Sequence, residues 1–382
     1  MMNTSPMKQS FDINAPYGLN AGEHVWRSIA PILARRGYTL RPRYHDGWVG
    51  SWVGTNKRPE ECEDSIVLGR KQLLLDAKWR SGSNVMLKLW FDNFLDRVEP
   101  DVLQYFSHPS RINDSANHCV PLLDMFQIPG QPFVKVLVEP LLRSYNEPPF
   151  IMVAEALSFV LQTLEGLEYM HLHNIAHGDI SHNNILMDTH DMFPDGFHGA
   201  FTLNPGHRMS ETGLLRLTRI QAPPKYYYID FGSSCMCRTF MGSALVLSVA
   251  TSFVPPEIKD DRTKAYDPFR GDVFSLGMTF LAMVQNRPGL TFLLPMIRRM
   301  TVQSPSSRPT VFQIKRHFLT IVLRNLTKTQ MIERIGWEDT SKMTTFERAF
   351  DTKEHYAELW NDVKRYGLPV DLLTSGTTDG AP

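Results

Sequence analysis

Two oxygen-bearing side chains in one short stretch are the first chemistry this sequence offers: Asp179 and, five positions later, Asn184, in the run His177-Gly178-Asp179-Ile180-Ser181-His182-Asn183-Asn184. Taken alone the pair is ordinary, because Asp and Asn at such spacing often only cap turns and helices. A third donor changes its weight. The run Tyr226-Tyr227-Tyr228-Ile229 reads as a β-like segment that delivers Asp230, followed by Phe231 and Gly232. Amide and carboxylate oxygens from two separate loops suit magnesium, which keeps water and phosphate oxygens for its other positions. A cation enters with Lys88, at the end of Val85-Met86-Leu87-Lys88. The plain alternative there is a Lys on a strand facing water.

The surrounding pattern predicts the elements that must hold these residues. From Met152 to Leu172, Val153, Ala156, Leu157, Val160, Leu164, Leu167 and Met170 recur at helical spacing with polar positions between them, a helix leading into the Asp179 loop. Segments Asp272 to Gln285 and Thr310 to Leu326 are also helical in pattern, so the second half is mainly α. Upstream, Gln72 to Ala77 and Val85 to Trp90 flank Arg80-Ser81-Gly82-Ser83-Asn84, a hairpin. Val134 to Leu142 is a third β-rich run, 100–107 a short helix and 109–121 a loop. Glu23 to Arg36 is a helix with Val25, Ile29, Ile32 and Leu33 on one face, stopped by Gly37. Residues 1–20 read as a flexible tail, 40–65 as an extension packed by its rings (Tyr44, Trp48, Trp52), and the last ten residues as disordered.

Three further matches fix the order. Pro255-Pro256-Glu257, Asp272-Val273-Phe274-Ser275-Leu276-Gly277 and Ser307-Arg308-Pro309-Thr310 follow the Asp230 run. With His177-Gly178-Asp179, Asn184 and Asp230-Phe231-Gly232, the chain from 177 to 308 resembles the eukaryotic-type protein kinase domain. The resemblance implies an α+β, bilobal protein-kinase-like fold, with a small β-rich N-lobe (about 65–140) and a larger, mainly α-helical C-lobe (about 141–325). Residues 1–64 would be an N-terminal tail and packed extension, and 326–382 a C-terminal tail. By the same resemblance, Asp179 receives or orients the proton of an acceptor hydroxyl, Asn184 and Asp230 hold Mg2+, and Lys88 neutralises the α- and β-phosphates of ATP. Asp101, with Glu99 as substitute, pairs with Lys88. Backbone near Leu141, after Glu139 and Pro140, touches the adenine, and Arg308 forms a buried ion pair with Glu257.

Several positions depart from that family. The segment expected to cover the phosphates, 73–82, lacks the glycines that let backbone amides approach phosphate. Gly178 replaces an Arg that docks an activation-segment phosphate, which predicts no strict dependence on phosphorylation of Ser233, Ser234, Thr239 or Ser243. Ser181 stands where a Lys steadies the transferring phosphoryl group. The stretch 186–225 is a long insertion expected to cover part of the substrate face, and the span from Glu257 to Arg308 is short. Gly37 to Tyr44, Asn117 to Pro121, Pro140 to Arg143 and Met192 to Pro194 resemble, more closely, a group of fungal kinase-like proteins.

Composition limits the partners. Lys plus Arg, 40, equals Asp plus Glu, 40, so no polyanion such as nucleic acid or an acidic membrane is called for overall. Four cysteines without paired zinc spacing suit a reducing compartment. No apolar stretch is long enough to cross a bilayer and 1–20 lacks a signal-peptide core, so a soluble, intracellular protein (cytoplasm or nucleus) is expected. Three functions fit the residues: a protein Ser/Thr kinase with a protein substrate, a pseudokinase scaffold, and a small-molecule phosphotransferase of the aminoglycoside or choline kinase type. The 255–257, 272–277 and Arg308 matches stand against the third.

Overall fold

The computed structural model describes residues 13–67, 73–92, 98–199, 216–237, 252–259, 261, 263 and 265–369. Antiparallel sheets and helices combine in an α+β chain that divides into two compact units. The first draws on 1–91, 124–141 and 197–214, the second on 92–123, 142–196 and 215–382. The expected features at Thr239, Ser243, part of the insertion (200–215) and the last ten residues lie outside the described residues.

The first unit is built on a five-stranded antiparallel sheet. Its strands are β1 (Tyr38–Thr39), β2 (Leu74–Trp79), β3 (Asn84–Phe91), β4 (Asp124–Gln127) and β5 (Val134–Pro140), in the order β1-β2-β3-β5-β4. The hairpin closes where the sequence puts it: Trp79 N–H donates to Ser83 O at 2.9 Å and Gly82 takes φ +92°. Period-two alternation sends Leu75, Ala77, Val85, Leu87, Leu89, Val136 and Val138 into one core. Helix α1 (Ala21–Arg35) covers that core, started by a reciprocal bond pair between Asn20 and Glu23. Its inward face is Trp26, Ile29 and Leu33, with Ile32 packed beside them; of the predicted face only Val25 turns out, at 47 % exposed. The larger ring takes the core because it removes more apolar area from water.

The 40–65 extension packs by its rings as expected, but a polar frame fixes it as well. Asp64 accepts from Trp48 Nε1 at 2.9 Å, Ser51 N at 2.8 Å and Ser51 Oγ at 2.6 Å. Fully buried Arg43 pairs with fully buried Glu23 at 2.9 Å. The flexible-tail reading fails for residues 13–20: Asn14 is buried and bonded to Gly50 N and Trp48 O. The segment read as the phosphate cover is corrected too. Residues 74–79 are strand β2, paired with β3 over Leu74–Lys78 and with β1 at Lys78 and Trp79, so this segment is a sheet strand.

Helix α3 (Val153–Leu172) runs through the second unit. The sequence predicts one apolar face, yet the helix is buried nearly all round, and its polar residues have assignments inside. Gln162 Oε1 accepts from Tyr226 N at 3.0 Å, the carbonyl of Thr163 accepts from Tyr228 O–H at 2.7 Å, and Glu168 pairs with Lys315. Short strands β6 (Arg143–Ser144), β8 (Ile185–Asp188) and β9 (Lys225–Tyr228) form one sheet; β7 (Ile175–Ala176) and β10 (Cys235–Met236) form another. Helix α2 (Val98–Phe106) belongs to this unit. Helix α4 (Pro268–Val284) starts on an Asp267 cap, and α5 (Leu294–Met300) and α6 (Val311–His317) follow. The 310–326 segment is helical as predicted, α over Val311–His317 and then π over Phe318–Val322 and 3₁₀ over Leu323–Asn325. Beyond it the chain stays packed: Leu359 joins Ile151, Met152 and Ile220 in a core cluster, and Asp362 accepts from Thr218 Oγ1 at 2.7 Å. Among the described residues no helix is long and apolar enough to cross a membrane.

The Arg308–Glu257 pair is present as read from the sequence. All five N–H groups of Arg308 have acceptors: Glu257 Oε1 and Oε2 at 2.8 and 2.5 Å, and the carbonyls of Val302, Arg270 and Gln303. Removing only the carboxylate charge leaves a buried guanidinium uncompensated. Glu257→Gln should therefore lower the unfolding free energy by roughly 3–5 kcal/mol in urea titrations, and Glu257→Leu with Arg308→Met should cost less than the sum of the single changes. A loss within measurement error for Glu257→Gln would contradict this.

Candidate functional site

One buried carboxylate sets the shape of the Asp179 loop. Asp272, in the first turns of α4 and 1 % exposed, accepts from His171 Nε2 at 3.0 Å and from the backbone N–H groups of His177 and Gly178 at 2.8 and 2.9 Å. Gly178 turns with φ +81°, and an added Cβ would lie 2.1 Å from the Ser233 carbonyl oxygen. Glycine here is thus a steric requirement of the turn, and not simply a lost cation.

The loop is then tied to the strand that ends at Asp230. Asp179 N–H donates to His177 Nδ1 at 3.3 Å, which leaves the ring proton on Nε2, donating to Ile229 O at 3.0 Å. Ile229 N–H donates to Asn184 O at 3.0 Å. Asn184 Nδ2 donates to Asp179 O at 2.8 Å, so the amide nitrogen is committed within the loop and Oδ1 is the atom suited to a cation. Asp179 and Asn184 are 8 % and 7 % exposed, and Asp179 Oδ1 accepts from Ser252 N–H at 3.0 Å. Asp230 is exposed and left-handed, φ +64°, a conformation Asp tolerates better than most residues. Phe231 packs under it with its ring 5.1 Å from that of His177.

Asp179, Asn184 and Asp230 therefore belong to one hydrogen-bonded piece of the second unit. Lys88 and Leu141 belong to the first unit. Lys88 is half-buried on β3, on the sheet face of Met86 and Trp90 that is opposite the core, and so differs from a Lys simply facing water. Leu141 is buried. On α2, Asp101 is exposed whereas Glu99 is 2 % exposed. Ser181 is fully buried and closes the 181–184 turn, its Oγ accepting from Asn183 N–H and its O from Asn184 N–H. Ser234, counted among the dispensable hydroxyls, is buried and donates to His177 O at 2.9 Å, so its hydroxyl supports the loop. The insertion is anchored at its return by Arg219, which donates to Tyr226 Oη and the Tyr145 carbonyl, each at 2.9 Å, and to the Pro148 carbonyl at 2.5 Å.

Sequence reasoning missed His118. Its Nδ1–H donates to Tyr226 O at 2.7 Å, and Tyr228 N–H donates to His118 O at 2.7 Å, so this residue braces β9 upstream of Asp230. Its partner lies 108 residues away, so nothing local marked the role.

Two predictions follow from this geometry. Gly178→Ala should destabilise the chain by more than about 1–2 kcal/mol, the left-handed strain alone, because the clashing atom is backbone and cannot rotate away; an unchanged urea midpoint would contradict it. Burial pushes the His118 imidazole from 6.5 down to about 4. An unfolded chain takes up that proton first, so the stability it represents is complete above pH 6.5 and is lost as pH falls toward 4. The loss amounts to up to about 3 kcal/mol. His118→Gln should flatten that part of the stability–pH profile, and an unchanged slope would refute the assignment.

Comparison with known proteins agrees with the arrangement. The protein kinase domain family matches residues 134–340, more than half of the chain, and leaves Lys88 and the first four strands outside the match. The serine/threonine-protein kinase par-4 of Caenorhabditis elegans is 21 % identical over 371 residues, 93 % of this chain and 51 % of that protein. The serine/threonine-protein kinase pim-2 of Danio rerio is 26 % identical over 157 residues, 39 % of this chain and 49 % of that protein. The chain spans about half the length of these curated relatives. With the Asp272-anchored loop, the Asp230 turn and the Arg308–Glu257 pair already in place, the match over 134–340 shows that this chain belongs to the protein kinase domain family.

Proposed function

We propose that the chain transfers the γ-phosphoryl group of ATP to a Ser or Thr hydroxyl of a protein, with the two units acting as the lobes of a bilobal kinase. One observation carries the reading: Asp179, Asn184 and Asp230 come from two loops that the His177–Ile229 and Asn184–Ile229 bonds hold as one piece. The donor set fits magnesium, since an amide oxygen and a carboxylate are hard ligands. Among the described residues no group of three or more His, Cys, Asp or Glu forms a protein-only metal cage. Bound magnesium supplies charge neutralisation across the phosphate oxygens.

The chain's own residues do the rest. Asp179 orients the acceptor hydroxyl and receives its proton as the new phosphorus–oxygen bond forms in line with the bond to ADP that breaks. Lys88 holds the α- and β-phosphates, and backbone near Leu141 contacts adenine. Protein contributes positioning and charge without a covalent intermediate. Four free cysteines fit a reducing, intracellular setting, and the motif combination from Gly37 to Pro194 favours the fungal group of kinase-like proteins. A scaffold without transferase activity is the second reading, favoured by Ser181, which offers no charge to the transferring group.

The test combines thermal shift with transfer assays. ATP with magnesium should raise the melting temperature, and Asp230→Asn should abolish the magnesium-dependent part. Asp179→Asn should retain binding and lower transfer to a Ser/Thr peptide library by about 100-fold or more. Binding without transfer would favour the scaffold, transfer confined to small alcohols the small-molecule phosphotransferase, and absence of nucleotide binding would overturn both enzymatic readings.

A further inference from the structure

Charge in this neutral chain is unevenly spread. Residues 273–332 contain eight Lys and Arg and no Asp or Glu. Three of the eight are neutralised by carboxylates from elsewhere: Arg287 by Glu347, Arg308 by Glu257 and Lys315 by Glu168. Others, among them Arg298, Arg299 and Arg316, are exposed. Such a stretch gives its face of the second unit a positive potential that the overall composition hides.

Within that stretch the surface is concave. A cavity of about 420 Å³ is lined by Arg270, Arg299, Ser306, Ser307 and Gln313, beside Arg308, and no carboxylate lines it. The cationic groups come from different elements, Arg270 from the first turn of α4 and Arg299 from the last turn of α5. Arg270 is held in place: its Nη1 donates to Arg308 O, and its Nε is 4.0 Å from Asp267. Arg299 Nη1 donates to His317 Nδ1 at 3.4 Å, which helps to orient its guanidinium. Ser306 and Ser307 are exposed and add hydroxyls, and exposed Gln313 adds an amide. Arg308 contributes shape only, because its five N–H groups already have acceptors.

From this cavity we propose a binding site for a phosphomonoester, presented as a phosphoserine or phosphothreonine side chain of a partner peptide and distinct from the Asp179 site. The guanidinium groups of Arg270, part of whose charge Asp267 offsets, and of Arg299 present N–H donors that suit a phosphate, close to −2 at neutral pH and with three acceptor oxygens. The volume lies in the range of pockets that enclose a small ligand, enough for a phosphorylated side chain and the backbone on either side of it. A peptide is favoured over a membrane or nucleic acid because the cations converge in a hollow. An extended polyanion would draw equally on exposed basic residues outside it, such as Lys328.

The site is testable by binding alone, independently of any transferase activity. Fluorescence anisotropy on the full chain at physiological salt would use a short alanine-based peptide with one phosphoserine, its unphosphorylated counterpart and free inorganic phosphate as competitor. The phosphopeptide should bind and the unphosphorylated peptide should not. Inorganic phosphate should compete only at much higher concentration, since it lacks the flanking backbone. Arg299→Glu, at an exposed position whose folding a melting curve can check, should weaken binding by about tenfold or more. Lys328→Glu should change it less than about twofold. No phosphopeptide binding up to millimolar concentration, equal binding of the unphosphorylated peptide, inorganic phosphate competing as well as the phosphopeptide itself, or an equal loss from Lys328→Glu would each overturn the proposal. The last of these would indicate a diffuse basic face for an extended polyanion.

Discussion

The buried carboxylate of Asp272 is the constraint from which the rest of the site is built. A carboxylate removed from water costs several kcal/mol unless its oxygens are satisfied, and here three N–H groups satisfy them. Two of those donors are consecutive backbone amides, so the bonds fix the chain's direction at His177 and Gly178 and leave their side chains out of it. The turn this forces puts Gly178 against the Ser233 carbonyl and aims the His177 ring at Ile229. From there the bonds through Ile229 and Asn184 join both oxygen-bearing loops. Asp179 and Asp230, far apart in sequence, are thereby parts of one rigid assembly.

The first unit solves a different problem. The connection from β1 to β2, where it is described, is a folded segment whose polar groups are tied to Asp64 and to the Arg43–Glu23 pair. Breaking a buried pair of that kind is costly, so the segment is stiff where a glycine-rich turn would be pliant. Insertion residue His198 packs in this unit as well, its Nε2 2.7 Å from Glu63, which also pairs with Arg41. Under the proposed function, nucleotide affinity would rest on the proposed magnesium donors and Lys88 more than on loop amides.

How much of this was legible in the sequence follows from the physics of each feature. Motifs with fixed local spacing were readable: Asp179 with Asn184, Asp230 with Phe231 and Gly232, and the Arg308–Glu257 pair, whose ends are each set by their own short motif. The helix 153–172 was readable in extent, but its surroundings were not, because Gln162 and Glu168 look like a solvent face until β9 and Lys315 are packed on them. The β2 strand was mistaken for a phosphate cover because the two-residue β1, which pairs with it, is too short to leave a period-two pattern. Glu23, Asp64 and His118 act through long-range partners, and no local signal distinguishes such polar residues from surface ones. Gly178 looked like a missing Arg, and its left-handed turn against Ser233 belongs to tertiary structure.

The central claim is that the Asn184 amide and the Asp230 carboxylate, from loops joined through Ile229, share one magnesium ion with the phosphates of a bound nucleotide. A crystal structure of the chain with magnesium and a non-hydrolysable ATP analogue measures it directly. The account predicts one ion that would be held by both Asn184 Oδ1 and an Asp230 carboxylate oxygen. Nucleotide bound with its metal held by neither side chain would contradict it.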